Sequence, residues 1–178
     1  MNYTKLEQNI IDMIKEEQLK LGYRSETVRL YYPLSSLNRF FSTELDSEQM
    51  LNRLQDFRSQ VCPRLGNIGI SIQSERFCLA IPPQGVEYIH KLPGDDRFLK
   101  DLIQAVSEHG HSIEEIFQIF RCYSEQVHIE KIADGEFDYL VFFEDGVPDC
   151  FRYCLTDEGG HVTYHRFTKE DYQDLFCS

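Results

Sequence analysis

A glycine and a proline bracket the most constrained stretch of this chain. Only ten residues, Tyr23 through Tyr32, lie between Gly22 and Pro33. They must carry the chain out of one helix, along a strand and into another helix. Upstream, Leu6, Ile10, Met13, Ile14 and Leu21 recur at helical spacing, and Gly22 suits the backbone geometry of a helix C-terminus. Glu26 to Tyr32 is rich in β-branched and aromatic residues, and Pro33 stops this strand because it has no N–H for a ladder. Downstream, Leu37, Phe40 and Phe41 belong to a second, short helix for which Ser35 or Ser36 is the expected cap. Tyr31, Tyr32, Phe40 and Phe41 read as packing residues rather than a binding cage.

The segments on either side follow from similar local rules. Thr4 and Glu7 have the spacing of a capping box for the first helix, and Asp46 and Gln49 repeat that spacing before a third helix. The third helix buries Met50, Leu51, Leu54, Phe57 and Val61 on one face and is expected to end before Pro63. Ile68, Ile70 and Ile72 alternate, Gln73 to Arg76 turn, and Phe77, Leu79 and Ile81 alternate again, which predicts a hairpin. After Pro82-Pro83, residues 85–90 predict one or two helical turns.

At Lys91-Leu92-Pro93-Gly94-Asp95-Asp96 the composition changes. Residues 1 to 92 hold 11 Lys or Arg against 11 Asp or Glu, whereas residues 93 to 178 hold 7 against 19, so the whole net charge of -12 lies in the second part. With Pro-Gly marking a turn, the expected domains are residues 1–92 and 93–178. In the second, Phe98, Leu102, Ile103 and Val106 predict a helix closed by Gly110. Ser112 and Glu115 start another that carries Ile116, Phe117 and Phe120. Four strand-like runs follow, 127–132, 137–144, 150–156 and 161–167, separated by Asp134-Gly135, Asp145-Gly146 and Gly159-Gly160. The Asp-Gly pairs suit tight hairpins. Tyr139 to Phe143 is apolar on both faces, so this strand should be central and covered on each side, by helices or a partner subunit. Residues 169–176 close the chain as a short helix. The expected class is α+β: a winged-helix-like first domain, then two helices, a four-stranded antiparallel meander and a C-terminal helix.

Two resemblances add to this reading. The order helix, strand, helix, helix, hairpin, helix over residues 5–90 resembles a winged-helix domain, with LSSLNRFF and DSEQMLNRLQDF as the helix-turn-helix pair and RFCLAIPPQGVEYIH as the wing and following helix. The run LGYRSETVRLYYPLSSL also resembles an uncharacterised family, a domain of unknown function found in anaerobic Gram-positive bacteria. That family implies no activity and no functional residues.

A winged helix raises the expectation of DNA binding. Gln49, Asn52, Arg53, Asp56 and Gln60 fall on the polar side of the third helix, joined by Arg58 and by Arg76 at the wing tip, and Gln, Asn and Arg are base-reading side chains. The charge argues the other way. Phosphate binding needs several Lys or Arg, and here Glu48, Asp56 and Glu75 stand beside the few arginines. Between residues 24 and 76 every basic residue is an arginine (24, 29, 39, 53, 58, 64 and 76), the cation favoured in paired protein contacts. Some of these are expected to meet the acidic second half, within one chain or across a homodimer. A protein partner or homodimer is therefore the expectation.

Chemistry is harder to place. The sequence has no GxSxG, P-loop, GxGxxG or HExxH motif, so no cofactor and no catalytic residue is expected. Cys150, Cys154, His161 and His165 would share a face of one hairpin if Glu158-Gly159 formed its turn. Residues four apart on a strand are about 13 Å apart, however, too far to share one zinc ion. Cys177 or His128 would have to complete a site. A cysteine nucleophile, Cys150 or Cys154 with His165, is the one catalytic pairing left open. His109 and His111 are expected to be solvent-exposed at a helix junction. The six scattered cysteines, the acidic first helix and the lack of any long apolar run point to a cytoplasmic protein without a membrane span.

Overall fold

The computed structural model describes residues 3–133 and 135–177. Its contacts divide the chain into two units between Pro93 and Gly94. The turn residue Asp134 lies outside the described residues.

The first unit runs α1 (Thr4–Leu21), β1 (Val28–Pro33), α2 (Leu34–Phe41), α3 (Ser47–Leu65), β2 (Gly69–Gln73), β3 (Arg76–Ile81) and α4 (Pro83–Lys91). The strands form an antiparallel sheet in the order β1-β3-β2. Because side chains alternate along a strand, Leu30 and Tyr32 of β1 lie opposite Leu79 and Phe77 of β3 on the inner face. There they join Leu6, Ile10 and Ile14 of α1, Met50, Leu54 and Phe57 of α3, and Val86 and Ile89 of α4 in one core. The buried Tyr32 hydroxyl donates to Asn9 Oδ1 at 2.9 Å, and burial pushes its pKa well above the usual phenol range.

Local signals place several boundaries here. Gly22 caps α1 with φ 80° and an N–H bonded to Gln18 O, and Asp46 and Gln49 make the expected capping box. Three expectations are overturned. Tyr3, not Thr4, is the N-cap of α1, and no side-chain cap bond forms there. The Glu7 carboxylate instead accepts two bonds from Arg64, at 2.7 and 2.9 Å, because a charge-assisted bidentate pair is stronger than a neutral cap. Second, α2 starts directly after Pro33 with Leu34, so neither Ser35 nor Ser36 caps it. Third, α3 does not stop before Pro63 but runs to Leu65. A proline inside a helix costs about 3 kcal/mol. Burying Leu65 completely returns about 1.5–3 kcal/mol, and Arg64 gains its pair with Glu7. Backbone contact fixes the end: a Cβ on Gly85 would lie 2.3 Å from the Leu65 carbonyl oxygen, so only glycine lets α4 start there.

The second unit runs α5 (Arg97–Ser107), α6 (Ile113–Tyr123), β4 (Val127–Lys131), β5 (Tyr139–Phe143), β6 (Arg152–Asp157), β7 (Val162–Phe167) and α7 (Lys169–Phe176). Its strands form an antiparallel meander, β4-β5-β6-β7. On one face Phe143 and Tyr153 meet Phe98 of α5 and Phe120 of α6 edge-on or tilted, with ring centroids 4.9 to 5.7 Å apart. On the other, Leu140 and Cys154 pack with Phe137, and Tyr172 of α7 leans on that cluster. Leu140 and Val141 are both buried, so β5 is covered on each side by elements of its own unit.

Ser112 and Glu115 form the expected box at α6. Gly110 does not cap α5, which ends at Ser107 with Glu108 as C-cap; its N–H bonds to Gly160 O instead. Asp145-Gly146 does not make a two-residue hairpin, since residues 144–151 separate β5 from β6. The chain is α+β as expected, with seven helices and two antiparallel sheets among the described residues. No described helix is long and apolar enough to cross a membrane.

Candidate functional site

α3 presents its polar side as a ridge. Its start is fixed by Asp46, which accepts from Gln49 N at 2.9 Å while Gln49 Oε1 accepts from Asp46 N. The turn before it is held by Asn38: its amide donates to Leu45 O at 2.9 Å and its Oδ1 accepts from Leu45 N at 2.8 Å. Apolar positions 50, 54, 57, 61 and 65 point inward, which leaves Gln49, Asn52, Asp56 and Gln60 exposed and Arg53 and Arg58 half-buried. The capping bond occupies one acceptor of Gln49, a constraint that sequence spacing assigned to the cap but did not weigh against contact.

Beside the ridge, the β2–β3 hairpin turns through Ser74 and Glu75, both at positive φ (48° and 65°). Arg76 is exposed at its base. Tyr31, Cys78 and Ser71 align across the three strands on the outward face, where Tyr31 is 44% exposed and donates to Gln73 Oε1 at 3.4 Å. Its phenol is raised, chiefly by its hydrogen bond with Cys78. Ile72 at the open edge is 50% exposed. Tyr31 is thus not the packing residue expected, because alternation turns it away from the core that holds Tyr32. The surface offers amides, charges of both signs, one aromatic ring and one aliphatic side chain.

A second feature was not foreseen. Where α1 ends, Ile14, Val28 and Val86 line a cleft of about 180 Å³ together with Glu17, Arg24 and Arg29. Ligand pockets span roughly 300–1,000 Å³, so this one is sized for a side chain. The only sequence signal was Gly22, whose positive φ turns the chain away from α1 before β1 begins.

The sulfur and imidazole candidates of the second unit are not gathered into one site; of them only Cys154 and His165 fall opposite each other. Cys150 is exposed ahead of β6, and Cys154 is buried within it. The β6–β7 turn is Gly159-Gly160, closed by Glu158 N–H to His161 O, not Glu158-Gly159. The register therefore puts His165 opposite Cys154 and moves His161 into the turn. Burial pushes the Cys154 thiol up to about 12, which leaves it protonated and a poor nucleophile at neutral pH. His165 lies against the Phe137 ring, His128 stacks on Phe142 beside Glu130, and Cys177 follows α7. Among the described residues no group of three or more His, Cys, Asp or Glu is placed to hold a metal ion.

A family model described as "Domain of unknown function, E. rectale Gene description (DUF3877)" matches residues 3–176, and the chain belongs to that family. No curated protein and no solved structure matches the chain.

Proposed function

We propose, for this member of a family of unknown function, that it is a non-enzymatic interaction or regulatory protein of the cytoplasm whose first unit, a winged-helix-like domain, engages a protein partner through α3 and the β2–β3 hairpin. The helix, strand, helix, helix, hairpin, helix order and the pairing of β1 with β3 support the winged-helix reading. One observation carries the choice of partner: the ridge of α3 is exposed yet mixed in sign. Arg53 and Arg58 stand with Glu48 and Asp56, and Arg64 is engaged by Glu7 within the unit. Each phosphate contact adds about one unit to a DNA salt slope, and few cations remain for that purpose. Arginine, tyrosine and exposed amides in a mixed field suit a protein interface. Four exposed cysteines suit a reducing compartment.

A photo-crosslinking residue at Asn52 tests this in the full chain. The expected result is one discrete adduct that is absent when the crosslinker sits at Glu87, which is exposed on α4. An adduct of twice 21.0 kDa identifies a second copy. Loss of the adduct in an Arg53→Glu, Arg58→Glu variant assigns it to the ridge. Retardation of random duplex DNA at about 50 mM salt, where the phosphate term is strongest, would overturn the proposal in favour of a DNA-binding regulator.

A further inference from the structure

Each of the six histidines has ring or carboxylate neighbours, but one pair brings nitrogen to nitrogen. His109, in the loop between α5 and α6, and His161, in the β6–β7 turn, hold their Nδ1 atoms 3.2 Å apart. Their rings stand at 64° with centroids 4.9 Å apart. We propose that these two imidazoles form an open chelate for a single divalent transition-metal ion of the imidazole-favouring class, with zinc the reference case.

The distances carry the proposal. Two nitrogens each about 2.05 Å from one ion stand about 3.35 Å apart at a tetrahedral angle and about 2.9 Å apart at a right angle. The observed 3.2 Å lies between these values. Ring placement is compatible with the same arrangement. With about 1.15 Å from ring centre to nitrogen, rings aimed straight at each other across 3.2 Å would have centroids about 5.5 Å apart, whereas lone pairs converging on one ion give about 5.0 Å. The centroids are 4.9 Å apart. That is close to the separation that lone pairs converging on one ion would give.

The two loops are held together before any ion binds. Gly110 N–H donates to Gly160 O at 2.9 Å, and a Cβ on Gly160 would lie 3.9 Å from Gly110 Cα. Both glycines have φ 98°, a conformation that residues with a Cβ rarely adopt. Asp157 Oδ1 accepts from Gly159 N at 3.2 Å and steadies the turn that carries His161. A hydrogen bond in the metal-free pair would place a proton on one of the two Nδ1 atoms. On binding, that proton moves to Nε2 of its own ring, so both Nδ1 lone pairs face the ion and no net proton is lost from two neutral imidazoles. Among the described residues no third Cys, His, Asp or Glu joins them. The remaining coordination positions of a tetrahedral ion belong to water or to an exogenous ligand. The ion would also tie α6 to the far hairpin and stabilise the second unit by linkage.

The test is isothermal titration of zinc chloride into the chelator-stripped full chain. The expected result is one ion per chain, with affinity reduced by about 100-fold in His109→Ala and again in His161→Ala. His128→Ala and His165→Ala should leave it unchanged. Saturating zinc should raise Tm by about 5 °C in the wild type and in neither loop variant. Circular dichroism separates loss of the site from loss of fold. Cobalt(II) on the wild type gives a reading independent of any variant: ligand-field bands without a thiolate charge-transfer band. No binding by the wild type, retention by His109→Ala, or a thiolate band placing the ion on a cysteine would each overturn the proposal.

Discussion

The first unit closes around aliphatic side chains and the second around aromatic rings. Leucine, isoleucine and valine from four helices and from β1 and β3 interleave in the first, with Tyr3, Tyr32, Phe57 and Phe77 among them. In the second, Phe98 alone makes ring contacts with Phe120, Tyr123, Phe143 and Tyr153. Edge-to-face pairs add about 0.5–1.5 kcal/mol each beyond burial, so stability there is concentrated in few residues. The first unit spreads it over many contacts and a few backbone fits such as Gly85 against Leu65. The surfaces differ in the same direction: the neutral unit mixes both signs, while the second carries the entire excess of carboxylates. Core chemistry and surface charge are thus set separately.

The sharpest way to break this contrast is to remove one ring. Phe120→Ala should cost about 3–5 kcal/mol, because the residue is fully buried among three rings. Leu54→Ala should cost about 2–5 kcal/mol in the first unit. Hydrogen exchange at β5 and β6 amides against β3 amides assigns each loss to its unit. Equal costs would remove the distinction between concentrated and distributed cores. Next, Gly85→Ala should cost about 1–3 kcal/mol through its clash with the Leu65 carbonyl. A neutral result by denaturant unfolding would show that α3 and α4 are not locked there.

Salt probes the charge half of the comparison. Raising sodium chloride from about 0.02 to 0.5 M should stabilise the second unit and leave the first within about 0.5 kcal/mol, since screening relieves like-charge repulsion only where charge is unbalanced. Exchange rates read for both units at the two salts decide this. The smallest effect belongs to Glu115. Its carboxyl lies below its ordinary value because the Ser112 backbone N–H and hydroxyl bond it. A lowered folded value gives stability that is present above the ordinary carboxylate range and disappears as pH falls through the folded value. Glu115→Gln should therefore lower Tm slightly at pH 7 and not at pH 2, whereas the corresponding box of the first unit carries the neutral Gln49.

Sequence reasoning reached different depths in the two units. The boxes at Asp46 and Ser112 and the end of α1 at Gly22 were legible because all partners lie within four residues. The box at Thr4 failed because Arg64, 57 positions away, takes Glu7. Phe40 reads as a core aromatic but is half-buried against the edge of Tyr32, so truncating it should cost less than truncating Phe120. Of the candidate contact residues, the polar ridge of α3 was visible from period alone, while the exposure of Tyr31 and Ile72 depended on which strands are edges. The cysteine–histidine grouping rested on a turn that lies one residue earlier than Gly159-Gly160, and such an error reassigns every partner across a hairpin.

What the sequence determined by itself was the order and kind of elements, the apolar faces and the charge imbalance, since these follow from periods of 3.6 and 2 and from residue counts. Only the tertiary structure decided that Leu65 outweighs Pro63, that Gly85 must be glycine, and that His161 meets His109, 52 residues away. Each depends on a contact between segments distant in the chain, whose free energy enters only after both have folded and therefore leaves no mark on the local pattern of either.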